Sequence, residues 1–410
     1  MRKYNTTTLD NGLRIIHMAD NSNVVYCGYQ LAVGTRHERR GEEGLAHFCE
    51  HLTFKGTDRF NALQIANHLE KVGGDINAFT TKDATVYHCA VMNNHLVRAI
   101  NLLTDMVFHS TYPEEELEKE KEVVFDEIES YNDSPAELIY DEFENLLFKG
   151  HPLGHNILGT VRQVRQLNRD DVLRFTNHHY TTGNAIFFCY GNVDFQRLVS
   201  QLNRATLNCK MTPSGQQLPM RCRKPRLRPC FDRRQMNTHQ AHVMTGTLAY
   251  SVHQHQRMAL YLLNNIIGGP AMNATLNQVL RERYGLVYTV ESTMVAYGDT
   301  GLWSIYFGCD PKDVEKCLAL IRRELDRLMR TPLSKRCLHD AKQQLKGQIS
   351  IACDNREQFA LDFGKSFLHY GWEKDIDELF ANIDQLTATQ LQEVAQELFT
   401  PDRMTTLILN

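Results

Sequence analysis

The chain has 410 residues, 42% hydrophobic and 23% charged, which excludes a disordered polypeptide and exceeds one typical domain. Its formal net charge of −4, with no basic stripe along any helical pattern, gives no reason to expect a nucleic-acid partner. There is no run of about 18 apolar residues to span a membrane and no apolar signal segment. The 11 cysteines are scattered and include no C-x-x-C pair, so no disulfide framework is expected and a reducing, cytoplasmic compartment is the expectation.

In chain order, Gly12 to His17 and Val24 to Val33 read as strands, and Leu45 to Phe54 as a helix. That helix carries His47-Phe48-Cys49-Glu50-His51. At about 100° per residue, His47 and His51 lie about 40° apart and one turn along, so both imidazoles reach one ion. Glu50 falls about 100° from His51 and 60° from His47, too far round to share the ion but near a water bound to it. Zinc held by three protein ligands keeps a fourth position open and brings its water to a pKa near 7. A carboxylate beside that water can take its proton and pass it to a leaving amine. The order H-x-x-E-H inverts the commoner H-E-x-x-H.

Asp75 to Thr81 and Thr85 to Met92 read as a hairpin with Lys82-Asp83-Ala84 at its tip. Helices are expected over Leu96 to Met106 and Glu114 to Ser130. On the second, Leu117, Val124, Ile128 and Tyr131 form an apolar stripe, and Glu116, Glu120 and Glu127 form a row beside it. Half-buried carboxylates want a cation. Glu120 and Glu127 are seven apart, so one can ligate while the other supports it from behind.

A strand from Ala185 to Tyr190 closes this half. Thr212-Pro213-Ser214-Gly215, Pro219, Pro225 and Pro229 then mark a linker without periodicity. Sliding the second half back by about 220 residues superimposes similar patterns. Leu167 to Val172 and the strand after it recur as Leu386 to Leu391 and the strand Thr405 to Leu409. The helix pair recurs as Val314 to Leu328 with Ser334 to Ile349, and Leu262 to Ile266 falls where the histidines would be. The expected fold class is α+β: two similar α/β domains, each a sheet flanked by helices, related by internal duplication. Their expected extents are 1–205 and 232–410, joined by linker 206–231, with one metal site per chain.

The chain resembles the pitrilysin/insulinase family of inverted-motif zinc peptidases, at the half length of the mitochondrial-processing-peptidase type. The resemblance rests on Gly44-Leu45-Ala46 before the motif, Gly56-Thr57 after it, and Gly73-Gly74-Asp75-Ile76-Asn77-Ala78-Phe79-Thr80. It continues through Glu118 to Ile128, with Glu127 standing 76 residues beyond His51, and through Gly268-Gly269 and Arg281 to Tyr288. It implies one zinc per chain on His47, His51 and Glu127, with Glu120 as the supporting acid and Glu50 activating a zinc-bound water. It implies an edge strand at Asn77, Ala78 and Phe79 to which substrate adds as an extra β-strand. Arg281 would hold the substrate backbone, and Tyr288 would hydrogen-bond the tetrahedral oxyanion. The implied activity is a metallo-endopeptidase for peptides or unfolded polypeptides, the alternative being a non-catalytic partner subunit of the same fold. Each chain would be one half of a clamshell, in a homodimer or a heterodimer with a related subunit.

Overall fold

The computed structural model describes residues 4–211, 224–236 and 238–410. Of the expected linker, Thr212, Pro213, Ser214, Gly215 and Pro219 lie outside the described residues.

The first half of the chain runs β1 (Tyr4–Thr8), β2 (Arg14–Ala19), β3 (Val24–Leu31), α1 (Leu45–Thr53), α2 (Ala62–Glu70), β4 (Asp75–Thr80) and β5 (Thr85–Met92). It continues with α3 (Leu96–His109), α4 (Glu114–Asn132), α5 (Pro135–Leu147), α6 (Val161–Gln166), α7 (Arg169–His179), β6 (Ala185–Gly191) and α8 (Phe195–Ala205). The second half runs β7 (Phe231–Arg234), β8 (Ala241–Ala249), α9 (Gln256–Gly268), a π-helical turn (Asn277–Arg283), β9 (Val287–Ala296) and β10 (Gly301–Cys309). It ends with α10 (Val314–Arg330), α11 (Lys335–Ala352), α12 (Arg356–Tyr370), α13 (Ile376–Gln385), α14 (Ala388–Leu398) and β11 (Thr405–Leu409).

Burial follows position in the sheet. The interior strand β6 is buried at every residue and reads as a continuous apolar run, whereas the edge strand β4 alternates exposed and half-buried. On α4 the stripe Leu117, Val124 and Ile128 is buried as its spacing predicts, and Lys121 and Phe125 are buried with it. Among the described residues, no helix is long and apolar enough to cross a membrane.

One sheet has the order β1-β2-β6-β3-β5-β4, the other β7-β11-β8-β10-β9. In the first, β2 and β6 are parallel and the other neighbours antiparallel; in the second, β7 and β11 are parallel and the rest antiparallel. Without β1 the two sheets are the same in order and sense. The protein therefore consists of two α/β domains of one design, each sheet flanked by helices.

Compactness divides the chain differently from sequence order. One unit gathers the first-half elements except α5 and adds α12; the other gathers the second-half elements except α12 and adds α5. Inside the first unit, α12 packs on β6 and β3, with Phe363 edge-on to Phe188 and Tyr190. Arg14 of β2 donates to the carbonyls of Phe367 and Leu368. Inside the second, Leu138, Ile139, Phe143 and Leu147 of α5 share a core with Met244, Leu248 and Leu407. A sheet with two apolar faces needs a helical layer on each. In both units one of those layers comes from the other half of the sequence, from the equivalent position after α4 or α11.

Candidate metal centre

The first unit fixes α1 at its N-terminus. Gly44 precedes the helix at φ 98°, and a Cβ there would lie 2.6 Å from the Leu158 carbonyl oxygen, so only glycine fits. The Glu38 carboxylate is fully buried and accepts from the amides of Gly44 at 3.1 Å and Ala46 at 2.7 Å. An anion there satisfies open amides and opposes the positive end of the helix dipole. Burial pushes the Glu38 carboxyl pKa up, against His155, whose Nε2 lies 2.9 Å from Glu38 Oε2. The apolar side of α1, Leu45, Phe48 and Leu52, is locked into the core. The rotation of the helix, and hence the direction of His47, Glu50 and His51, follows from that packing.

Four side chains converge between α1 and α4. Glu127 Oε2 lies 3.4 Å from His51 Nε2 and 3.7 Å from His47 Nε2. Ligand atoms of these three residues all lie within 4.8 Å of one another. Behind them, His51 Nδ1 donates to Glu120 Oε1 at 3.1 Å, and Lys55 Nζ lies 2.6 Å from Glu120 Oε2. Glu120 is buried and Glu127 half-exposed, while Glu116 turns away to Lys119. The acidic row on α4 is thus split among three environments.

The electrostatics follow from this packing. Burial, and then the charge of His51, push His47 down to about 4. Burial pulls on His51 too, but Glu120 and Glu127 together push it up to about 9. Glu120 is pushed up by burial yet held below its ordinary value by His51 and Lys55. The bond from His51 keeps Glu127 low against its burial. Positive charge is therefore favoured on His51, which both carboxylates face, and disfavoured on the buried His47.

Glu50 is 8% exposed. Burial pushes its carboxyl pKa up, opposed by the Thr80 hydroxyl, which donates to Glu50 Oε2 at 2.6 Å. Thr80 is the last residue of β4, which stands at the end of its sheet and also carries Asn77, Ala78 and Phe79. Asn77 and Phe79 are exposed, and Asn77 Oδ1 accepts from the Ala78 amide at 2.8 Å. Arg281 and Tyr288 belong to the second unit. Arg281 lies on the π-helical turn with its side chain about half exposed, and Tyr288, near the start of β9, is 85% exposed. In that unit α9 takes the place of α1, and Asn264 there accepts from Ser292 and Trp303.

Glu38, Lys55 and Thr80 escape sequence reasoning. Nothing in their local spacing marks them, because each acts through a partner brought near only by folding. His155, which sequence reasoning leaves without a role, supports Glu38. Cys49 sits inside the motif helix, but its side chain is buried in the core and burial pushes its thiol well above the ordinary value. It is a packing residue.

Both halves of the chain match known family models. The description Insulinase (Peptidase family M16) matches residues 14–161, which hold His47, Glu50, His51, Glu120 and Glu127. The description Peptidase M16 inactive domain matches residues 166–345, which hold Arg281 and Tyr288. An uncharacterised zinc protease of Bacillus subtilis (strain 168) is 31% identical over 405 residues, covering 98% of this chain and 97% of that one. Another, of Streptomyces coelicolor, is 32% identical over 397 residues, covering 96% and 86%. Among solved structures, a protease from Helicobacter pylori has a TM-score of 0.93 at 22% identity, over 100% of both chains. The likeness to it is one of fold.

Proposed function

The chain belongs to the insulinase family, peptidase family M16, and from that premise we propose that it is a zinc metallo-endopeptidase acting on peptides or unfolded polypeptides. The observation that carries this reading is the pair of distances, 3.4 and 3.7 Å, from one Glu127 oxygen to the two histidine Nε2 atoms. Two atoms each about 2.0–2.1 Å from a tetrahedral ion stand about 3.4 Å apart, and the two Glu127 distances are close to that separation. Two imidazoles and one carboxylate are also a donor set of catalytic zinc, with a position left for substrate. Zinc bound there supplies a Lewis acid for the scissile carbonyl.

The chain's own residues do the rest. Glu50 takes a proton from the attacking water and hands it to the departing amine; its burial-raised pKa suits it to both transfers. Glu120, itself held by Lys55, fixes the His51 ring through Nδ1 so that Nε2 stays directed at Glu127. An extended peptide docks along the edge of β4 at Asn77, Ala78 and Phe79, where the strand's outward-turned backbone groups give a grip tolerant of sequence. Arg281 binds the peptide backbone, and Tyr288 donates a hydrogen bond to the oxyanion. The active unit is a dimer in which each chain's second domain serves its partner's metal centre.

Metal analysis is expected to find one zinc per chain. A mixed peptide library, with its fragments read by mass spectrometry, is expected to be cut, with cleavage abolished by a chelator and restored by zinc. Zinc at full occupancy without cleavage of any peptide would favour the non-catalytic subunit instead.

Two further outcomes follow. Glu120→Gln and Lys55→Met should each weaken zinc affinity or rate by about 10–100-fold, as loss of a group behind a ligand does. A peptide must lie extended to pair with β4, so small peptides and denatured segments should be cut while tightly folded domains are spared. Interior cleavage of a stable folded protein, as fast as of a peptide with the same sequence, would refute edge-strand docking.

A further inference from the structure

We propose that the Thr80 hydroxyl is the positioning group for Glu50, and that it ties the base to the strand edge along which substrate lies; this rests on the peptidase reading above. Thr80 ends β4, and its Oγ1 donates to Glu50 Oε2 at 2.6 Å. The next residue shows which way the backbone faces. Thr81 donates its amide to the Ala84 carbonyl at 2.8 Å, and the register pairs Thr80 with Thr85 and Ala78 with Tyr87. In an antiparallel ladder, residues alternate between those bonded to the neighbour and those turned outward. Asp75, Asn77 and Phe79 therefore bond to β5, and Ile76, Ala78 and Thr80 turn their N–H and C=O groups to the open edge.

The Ala78 amide fits this parity, since it bonds the Asn77 side chain rather than β5. Side chains alternate as well. Ile76 and Ala78 pack against the core that holds α1, and Thr80 lies on the same face, reaching Glu50. Thr80 is thus a single residue with its backbone on the docking edge and its hydroxyl on the base.

The bond matters because a Glu carboxylate rotates broadly about its last torsion. With Oε2 held by Thr80, Oε1 is the oxygen directed to the reaction. The water's O–H bond breaks, its proton goes to Oε1, and the oxygen's electron pair forms the bond to the carbonyl carbon as the C=O π pair moves onto the carbonyl oxygen, to return when the C–N bond breaks. The proton then passes to the nitrogen as the C–N bond breaks. Holding a reacting group in one orientation speeds the chemical step without tightening substrate binding.

The experiment compares Thr80→Val, which keeps the branched shape and loses the hydroxyl, with Thr80→Ser, which keeps the hydroxyl. Four quantities are read: zinc content, affinity of the metal-free protein for a fluorescent peptide by anisotropy, kcat and KM. Thr80→Val is expected to keep one zinc per chain and an unchanged peptide affinity, with KM within about twofold and kcat lower by about 10–100-fold. Thr80→Ser is expected to recover kcat to within about threefold of wild type. In the Glu50→Gln background, Thr80→Val should cost nothing further, because the two act as one unit.

Wild-type kcat in Thr80→Val, a Thr80→Ser as slow as Thr80→Val, or loss of zinc in Thr80→Val would each overturn the proposal. An undiminished further loss in the Glu50→Gln background would do so too, by showing that the hydroxyl acts elsewhere. Wild-type turnover by Glu50→Gln alone is a separate result, which would overturn the assignment of Glu50 and this inference with it.

Discussion

Glu50→Gln is expected to hold one zinc per chain and to cut peptides about 10²- to 10⁴-fold more slowly than wild type. His47→Ala and Glu127→Ala should lose both zinc and activity. The contrast follows from where the carboxylates stand. Glu127 meets both histidine Nε2 atoms, whereas Glu50 is buried on the same helix as the histidines and bonded to Thr80. A glutamine at position 50 keeps the shape and can still accept from Thr80 through its carbonyl oxygen, so the metal centre should be undisturbed. It cannot take a proton, and that is the function removed. Metal analysis with steady-state kinetics on the same preparations separates the two classes. Full zinc occupancy in Glu127→Gln would count against Glu127 as a ligand, since an amide is a poor one. Wild-type turnover in Glu50→Gln would remove the base.

The sequence exposes some of this centre and hides the rest, for physical reasons. The adjacency of His47 and His51 is legible because both lie on one helix, and helical geometry alone brings them together. The proximity of Glu127 is half legible. The apolar stripe of α4 shows which face is buried, and the acidic row beside it narrows the choice to Glu116, Glu120 and Glu127. Spacing cannot tell these three apart, and their fates differ: Glu116 pairs with Lys119, Glu120 is buried under Lys55, and Glu127 stays half-exposed at the histidines. The supports Glu38 and Thr80 are invisible because they lie on a loop and a hairpin whose approach to α1 is purely tertiary.

The same limit applies to the fold. Periodicity marks β3, β5, α3 and α4, and the recurrence of pattern anticipates two sheets of one topology. It cannot reveal that α5 and α12 each serve the sheet of the other half. An amphipathic helix records that it has an apolar face, but not which sheet that face covers.

Mixing Glu50→Gln with Arg281→Ala is expected to restore about a quarter of wild-type activity, although each variant alone is nearly inactive. The metal centre and the Arg281/Tyr288 pair are carried by different units of the chain. Tyr288 presents 85% of its surface, and the Arg281 side chain is about half exposed, so both are available to a partner. In a two-fold dimer with shared sites, each centre takes Glu50 from one chain and Arg281 from the other. Random re-association makes about half of the dimers mixed. In each mixed dimer one centre combines both lesions and the other has neither. One intact centre in two, over half of the dimers, gives the quarter. The measurement is peptide cleavage after exchange, with exchange followed independently by a tag on one variant. Recovery to that level would place Arg281 in the partner's centre. No recovery, despite demonstrated exchange, would put Arg281 in the same chain as the zinc it serves or remove it from the site, and the shared-site dimer would fall.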